Sequence, residues 1–230
     1  MSTAVLVLGK SGSGKSCSVE NLSPKRTVIV NVIGKELPFR NSFVPVTDMS
    51  GNVFVSDDTT RIMSFLDHIN SKRPEIKDIV IDDSQYTMVN HFMREHSTQG
   101  KGNGVFQLYN DIGDRFWNLI NKAKSLRPDI IVYFLHHSEV TETGELKAKS
   151  IGKMLDEKVN IEGMFTICLL AVCESGEHFF YVKSTGNTPT KTPKGMFDTE
   201  KIVNDLSLVS NSIRNYYIPA PTIKSTEKKV

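Results

Sequence analysis

Cysteine is scarce in this chain. There are three, Cys17, Cys168 and Cys173; an odd count without CxxC spacing argues against a disulfide framework and a structural zinc site, and fits a reducing cytoplasm. Arginine is missing altogether between Arg127 and Arg214, so that stretch has no arginine lid of the kind a kinase closes over a transferring phosphoryl group. The net charge is only +2, too little to argue for nucleic acid in bulk, and any polyanion surface must be a local patch. The N-terminal apolar run Ala4-Val5-Leu6-Val7-Leu8 is too short for a signal peptide or a membrane span, so neither a targeting segment nor a membrane partner is expected. With 230 residues, 39% of them hydrophobic and 23% charged, the composition leaves room for one α/β domain with a sizeable core over 1–217, and a polar tail over 218–230.

That apolar run leads directly into Gly9-Lys10-Ser11-Gly12-Ser13-Gly14-Lys15-Ser16, a match to GxxxxGK[ST] in the strand-then-loop setting a phosphate cradle requires. Gly12 and Gly14 admit backbone conformations that a Cβ would forbid, which lets successive N–H groups turn toward a polyphosphate. Lys15 brings a point charge for the β- and γ-oxygens and Ser16 a hydroxyl for Mg²⁺. Cys17 completes the nucleotide-binding stretch at the start of a helix expected over Ser16–Leu22, whose positive end adds to the site.

Apolar runs then alternate with helical patterns, the mark of βαβ units and a mostly parallel sheet with helices on both faces. Strands are expected at Thr27–Ile33, Asp78–Asp83 and Ile130–Leu135. Helices are expected from Asp58 or Thr59 to about Ser71, over Ser84–Glu95, over Asp111–Ser125, and between Thr199 and Tyr217. Ser97–Gly104, polar and glycine-rich, reads as a mobile loop. Phe165–Val172 and His178–Val182, joined through Glu174-Ser175-Gly176-Glu177, form an antiparallel hairpin that extends the sheet.

Asp78-Ile79-Val80-Ile81-Asp82-Asp83 has the Walker B pattern, and ligands of open parallel sheets sit beyond the carboxyl ends of the strands, which puts Asp82 and Asp83 opposite Lys15. One carboxylate holds Mg²⁺ and its neighbour orients or activates water, in an order the residues leave open. The alternative is that the pair merely caps the next helix. Glu36, after the second strand, is a candidate general base, and His136 or His137, after the strand Ile130–Leu135, a candidate γ-phosphate sensor.

The order of these parts resembles the RecA/Rad51 core. The stretches Ile79–Tyr86, Val105–Asp111 and Tyr133–Ser138 resemble, more narrowly, short phage-encoded ATP-binding proteins, some described as RecA-like single-strand-annealing ATPases. The resemblance implies a RecA-like P-loop fold, Mg²⁺-dependent ATP hydrolysis, and coupling to single-stranded DNA annealing or recombination. It also implies a homo-oligomer in the cytoplasm, that of the host if phage-encoded, with a single-strand-binding protein as a further partner. On that basis DNA would be met by Lys101 in the Ser97–Gly104 segment and by Lys147, Lys149 and Lys153 after the sensor. Lys183, Lys191 and Lys194 lie in a stretch, Phe179–Phe197, without a single carboxylate, where the local field is uncompensated. Lys191 or Lys194 would alternatively reach a neighbouring subunit's ATP.

Two other classes use the same loop. One is a small-molecule or nucleotide kinase; the other is a non-catalytic module that binds ATP in order to engage a partner. A GTPase is disfavoured, because Asn121-Lys122-Ala123-Lys124 lacks the closing aspartate of a guanine reader.

Overall fold

The computed structural model describes residues 1–99, 102, 104–151 and 159–217. Nine strands form one mixed sheet: β1 (Thr3–Gly9), β2 (Thr27–Asn31), β3 (Val53–Val55), β4 (Asp78–Asp82), β5 (Ile131–Val140), β6 (Leu146–Ala148), β7 (Ile167–Glu174), β8 (Glu177–Tyr181) and β9 (Lys201–Val203). Their order is β3-β2-β4-β5-β1-β7-β8-β9, with β6 paired to β5 off this path. Strands β1 to β5 and β7 pair in parallel, and β8 and β9 add antiparallel. β5 runs on through His136 and His137 to Val140, past the end expected at Leu135, and lies between the phosphate-loop strand and the Walker B strand.

Strand alternation divides the core between the two faces. Leu6, Leu8, Val30, Ile79, Ile81, Val132 and Phe134 pack against the helices α1 (Thr59–Lys72), α2 (Tyr86–Gln99) and α3 (Gly104–Lys124). Val5, Val7, Ile29, Val80, Tyr133 and Leu135 face Val19, Leu22 and the helix α4 (Leu206–Tyr217). α1 begins where Asp58 accepts from the N–H groups of Thr60 at 2.7 Å and Arg61 at 3.3 Å, and it buries Ile62, Phe65, Leu66 and Ile69. The β7–β8 hairpin turns on Ser175 and Gly176, both at positive φ (53° and 86°), the conformation a two-residue turn needs to match the strand twist.

Further expectations about the elements are corrected. The segment after the phosphate loop is a single 3-10 turn, Cys17–Val19, and not a helix over Ser16–Leu22. There the Ser18 hydroxyl donates to the Lys15 carbonyl at 2.5 Å, competing with the backbone for an acceptor a regular helix would use. The first residues of the Ser97–Gly104 stretch belong to α2, which runs to Gln99, and its last, Gly104, starts α3, while 100, 101 and 103 lie outside the described residues; Phe92 of α2 stacks on Tyr109 of α3 at 5.6 Å. α3 starts seven positions before Asp111 because buried Leu108 extends its apolar stripe to Ile112. The first part of the expected last helix is β9, and α4 begins at Leu206. The tail over 218–230 lies outside the described residues.

Candidate nucleotide site

Gly9 ends β1 opposite His137 of β5, and Asn31 ends β2 opposite Asp82 of β4. The carboxyl ends of β1, β2 and β4 thus meet His137 of β5 along one crest. A crevice of about 280 Å³ opens there, lined by Ser11 to Cys17, Lys35, Glu36, Pro38, Asp83 and His137. Gly12 (φ 77°) and Gly14 (φ 89°) both hold the left-handed conformation. At Gly14 a Cβ would lie 2.7 Å from His178 Nδ1, so the loop also needs glycine for space. The short 3-10 turn behind the loop makes the amides, and not a long helix dipole, the main source of positive potential.

Lys15 is buried, and its Nζ donates to the carbonyls of Gly9 (2.8 Å) and Lys10 (2.9 Å). Burial lowers its pKa to about 8 against the pull of Asp83 and Asp82, and Lys35 lowers it further. Ser16 Oγ donates to Asp82 Oδ1 at 2.8 Å. The other oxygen of this buried carboxylate, Oδ2, has no hydrogen-bond partner among the described residues. Burial, and then the charge of Asp83, push the Asp82 pKa up. A hydroxyl beside a buried carboxylate with one orphaned oxygen fits Mg²⁺, which takes one or two protein oxygens and completes its shell with water and phosphate. Among the described residues no cluster of three or more His, Cys, Asp or Glu forms a self-sufficient metal cage.

Asp83 is held differently. Its φ of 58° is unusual for a residue with a side chain, and it breaks the alternation that would send consecutive aspartates to opposite faces. Lys35 Nζ donates to Oδ2, and His137 Nε2 lies 3.4 Å from Oδ1. Burial by itself would raise the Asp83 pKa; His137 and Lys35 outweigh it and hold the carboxyl down at about 2. Glu36 is exposed on the crevice wall, with no ion pair or hydrogen bond among the described residues.

His136 is not in the crevice, a correction to its expected sensor position. It shares the face of Phe134 and is fully buried beside Phe116 of α3, with ring centroids 5.5 Å apart. Its Nε2–H donates to the Lys149 carbonyl at 2.8 Å, and Nδ1 faces Ser84 Oγ at 2.9 Å. Burial lowers its pKa to about 4, which keeps it neutral.

The candidate DNA lysines among the described residues are spread over several elements. Lys147 pairs with Glu139 at 3.0 Å on the β5–β6 hairpin, and the Lys149 N–H donates to the His137 carbonyl at 2.8 Å. Lys183 Nζ donates to the Asp198 carbonyl. Lys191 pairs through its backbone with Cys168, near the start of β7. Lys194 lies beside Tyr216 in α4, whose Arg214 binds Asp78 at the start of β4, so it sits toward the opposite end of the sheet from the crevice. Lys101 and Lys153 lie outside the described residues. No helix among the described residues is long and apolar enough to cross a membrane.

Lys35 was missed by sequence reasoning. Its signal was a cation one position before Glu36, on a strand-end turn predicted to face the crevice.

A search of curated proteins found no significant match. Among solved structures, the genome packaging NTPase B204 from Sulfolobus turreted icosahedral virus 2, in complex with ATP-gammaS, is similar over 81% of this chain and 78% of that chain, at 11% identity and a TM-score of 0.38. The model of the AAA domain family matches residues 1–193, and the chain belongs to that family: it is a P-loop ATPase with ATP and Mg²⁺ as its cofactors.

Proposed function

We propose that this ATPase couples hydrolysis to the binding and annealing or recombination of single-stranded DNA, acting as a homo-oligomer in the cytoplasm alongside a single-strand-binding protein. The nucleotide-binding unit spans 1–217. In the crevice Lys15 meets the β- and γ-phosphates, and Ser16 and Asp82 hold Mg²⁺, which neutralises charge on the phosphate oxygens when bound. Glu36 takes the proton of the attacking water. Asp83, engaged on both oxygens and fully ionised, organises Lys35 and His137 and leaves the base role to Glu36.

The observation that carries the coupling is a pair of hydrogen bonds. The Lys149 N–H and C=O are bound respectively by the His137 carbonyl and the His136 ring, both at 2.8 Å. The hairpin that carries Lys147 and Lys149, together with Glu139, Glu142 and Glu145, is thereby tied to the part of β5 that faces the phosphates, and a shift of His137 on γ-phosphate loss is passed to it directly. The hairpin in turn meets the Lys183–Lys194 segment where the Leu146 N–H donates to the Asn187 carbonyl at 2.9 Å.

The test is phosphate release with and without single-stranded DNA. Stimulation by DNA, lost in a Lys147→Ala, Lys149→Ala double variant and weakened by salt, supports the reading. Phosphoryl transfer to an added nucleoside monophosphate would instead make the chain a kinase. Tight ATP binding with negligible turnover in either condition would make it a nucleotide-dependent partner-binding module.

A further inference from the structure

We propose that Lys35 is the residue that distinguishes a triphosphate from a diphosphate in this crevice, by leaving Asp83 for the γ-phosphate. The inference rests on the nucleotide reading of the site and assigns a role to a residue outside the phosphate loop and the Walker B pair.

The turn that carries Lys35 is built to present it. Buried Asn31, the last residue of β2, accepts from the Gly34 N–H at 2.9 Å through Oδ1 and donates from Nδ2 to the Lys35 carbonyl at 2.6 Å. One side-chain amide therefore brackets both ends of a short turn, and Gly34 supplies the positive φ of 68° that the turn requires. The Lys35 side chain emerges from this rigid base, about 41% exposed, with its ammonium on Asp83 Oδ2. It has both a fixed anchor and room to move.

Among the described residues, Lys15 and Lys35 are the lysines that line the crevice, and no arginine lines it. Lys15 comes from the loop that cradles the phosphates, and Lys35 enters from the far wall, the side of β2 and β4. The two ammonium groups are close enough for Lys35 to depress the Lys15 pKa. An anion arriving between them relieves that repulsion. A diphosphate satisfies Lys15 and the loop amides and leaves Lys35 on Asp83; the third phosphoryl group, with its added charge, draws Lys35 away. Asp83 keeps His137 when Lys35 departs, so its negative charge is not stranded.

The experiment is calorimetric binding of ATPγS and of ADP, each with Mg²⁺, to the full chain and to Lys35→Gln and Lys35→Arg. The wild type should favour ATPγS. Lys35→Gln should reduce the ATPγS-to-ADP affinity ratio at least tenfold while ADP affinity stays within about twofold, and Lys35→Arg should restore most of the ratio. Retained ADP binding is the control for folding. An unchanged ratio in Lys35→Gln, with ADP still bound, overturns the inference and leaves the nucleotide site standing. Equal loss of both ligands in Lys35→Gln also overturns it, because the role would then be general and not specific to the γ-phosphate. If the wild type binds neither ligand, the site reading itself fails and the inference goes with it.

Discussion

Ser16 Oγ sits 2.8 Å from Asp82 Oδ1, so the last residue of the phosphate-loop motif and the last residue of β4 already touch. Two segments separated by 66 positions in sequence meet where a divalent cation needs two oxygens. Asp82→Asn keeps the shape and removes the charge; it should raise the Mg²⁺ concentration needed for half-maximal turnover at least tenfold. A magnesium titration of phosphate release reads this, and an unshifted midpoint would remove Asp82 from the metal site.

Glu36 faces the crevice and, unlike Asp83, has no partner among the described residues. Glu36→Gln should lower turnover on the order of a hundredfold or more with nucleotide affinity preserved, as expected for loss of a general base. Steady-state rates and ADP binding measured on the same variant decide it. Near-normal turnover would return the base role to Asp83.

Gly14→Ala places a methyl group 2.7 Å from His178 Nδ1, at a φ of 89°. Adopting that conformation costs a residue with a Cβ about 1–2 kcal/mol even without the clash. Affinity for ATPγS should fall about tenfold or more. Gly12→Ala meets no neighbouring atom and has only the backbone cost at its φ of 77°. The comparison of the two separates crowding from conformational strain.

His136 makes the fold sensitive to acid. Its folded-state pKa of about 4 lies below the unfolded value near 6.5. Between those values the unfolded chain binds the extra proton, so acidification favours unfolding. The penalty is absent above pH 6.5, grows as pH falls, and reaches about 3 kcal/mol below pH 4. Urea denaturation across this window should show the loss, and His136→Asn should flatten that part of the profile relative to wild type.

Asp78, buried at the start of β4, accepts from Ser210 Oγ at 2.7 Å and Arg214 Nη2 at 3.0 Å, with Arg26 Nε at 3.4 Å. It fastens α4 to the sheet. Asp78→Ala removes the carboxylate from the partly exposed Arg214 and Arg26 and leaves Ser210 Oγ without its acceptor; it should destabilise the fold by about 2–3 kcal/mol, measured as a drop in the urea midpoint.

How much of this was legible in the sequence depends on the range of the interaction. The strand before Gly9, the glycines at 12 and 14 and the acidic end of β4 are local features, written in residue type and spacing. The position of His137 was also within reach: counting by twos from core Phe134 puts His136 against α3 and leaves His137 on the face of Tyr133 and Leu135. The 3-10 turn was harder to read, because it depends on whether Ser18 caps a carbonyl or lets a helix continue. The pairing of Lys35 with Asp83 was out of reach. It is set by the left-handed backbone of Asp83 and by the Asn31 bracket, both products of the assembled sheet. Strands β3, β6 and β9, three residues each, are too short to carry a period and owe their form to the neighbours they pair with.

The most direct test of the nucleotide site is Mg²⁺-dependent phosphate release from ATP by the wild-type chain and by Lys15→Ala, which removes the ammonium held by the Gly9 and Lys10 carbonyls of the phosphate loop. Measurable release by the wild type and its loss in the variant, with the urea midpoint preserved, is the expected result. Unaltered release by Lys15→Ala would contradict the account.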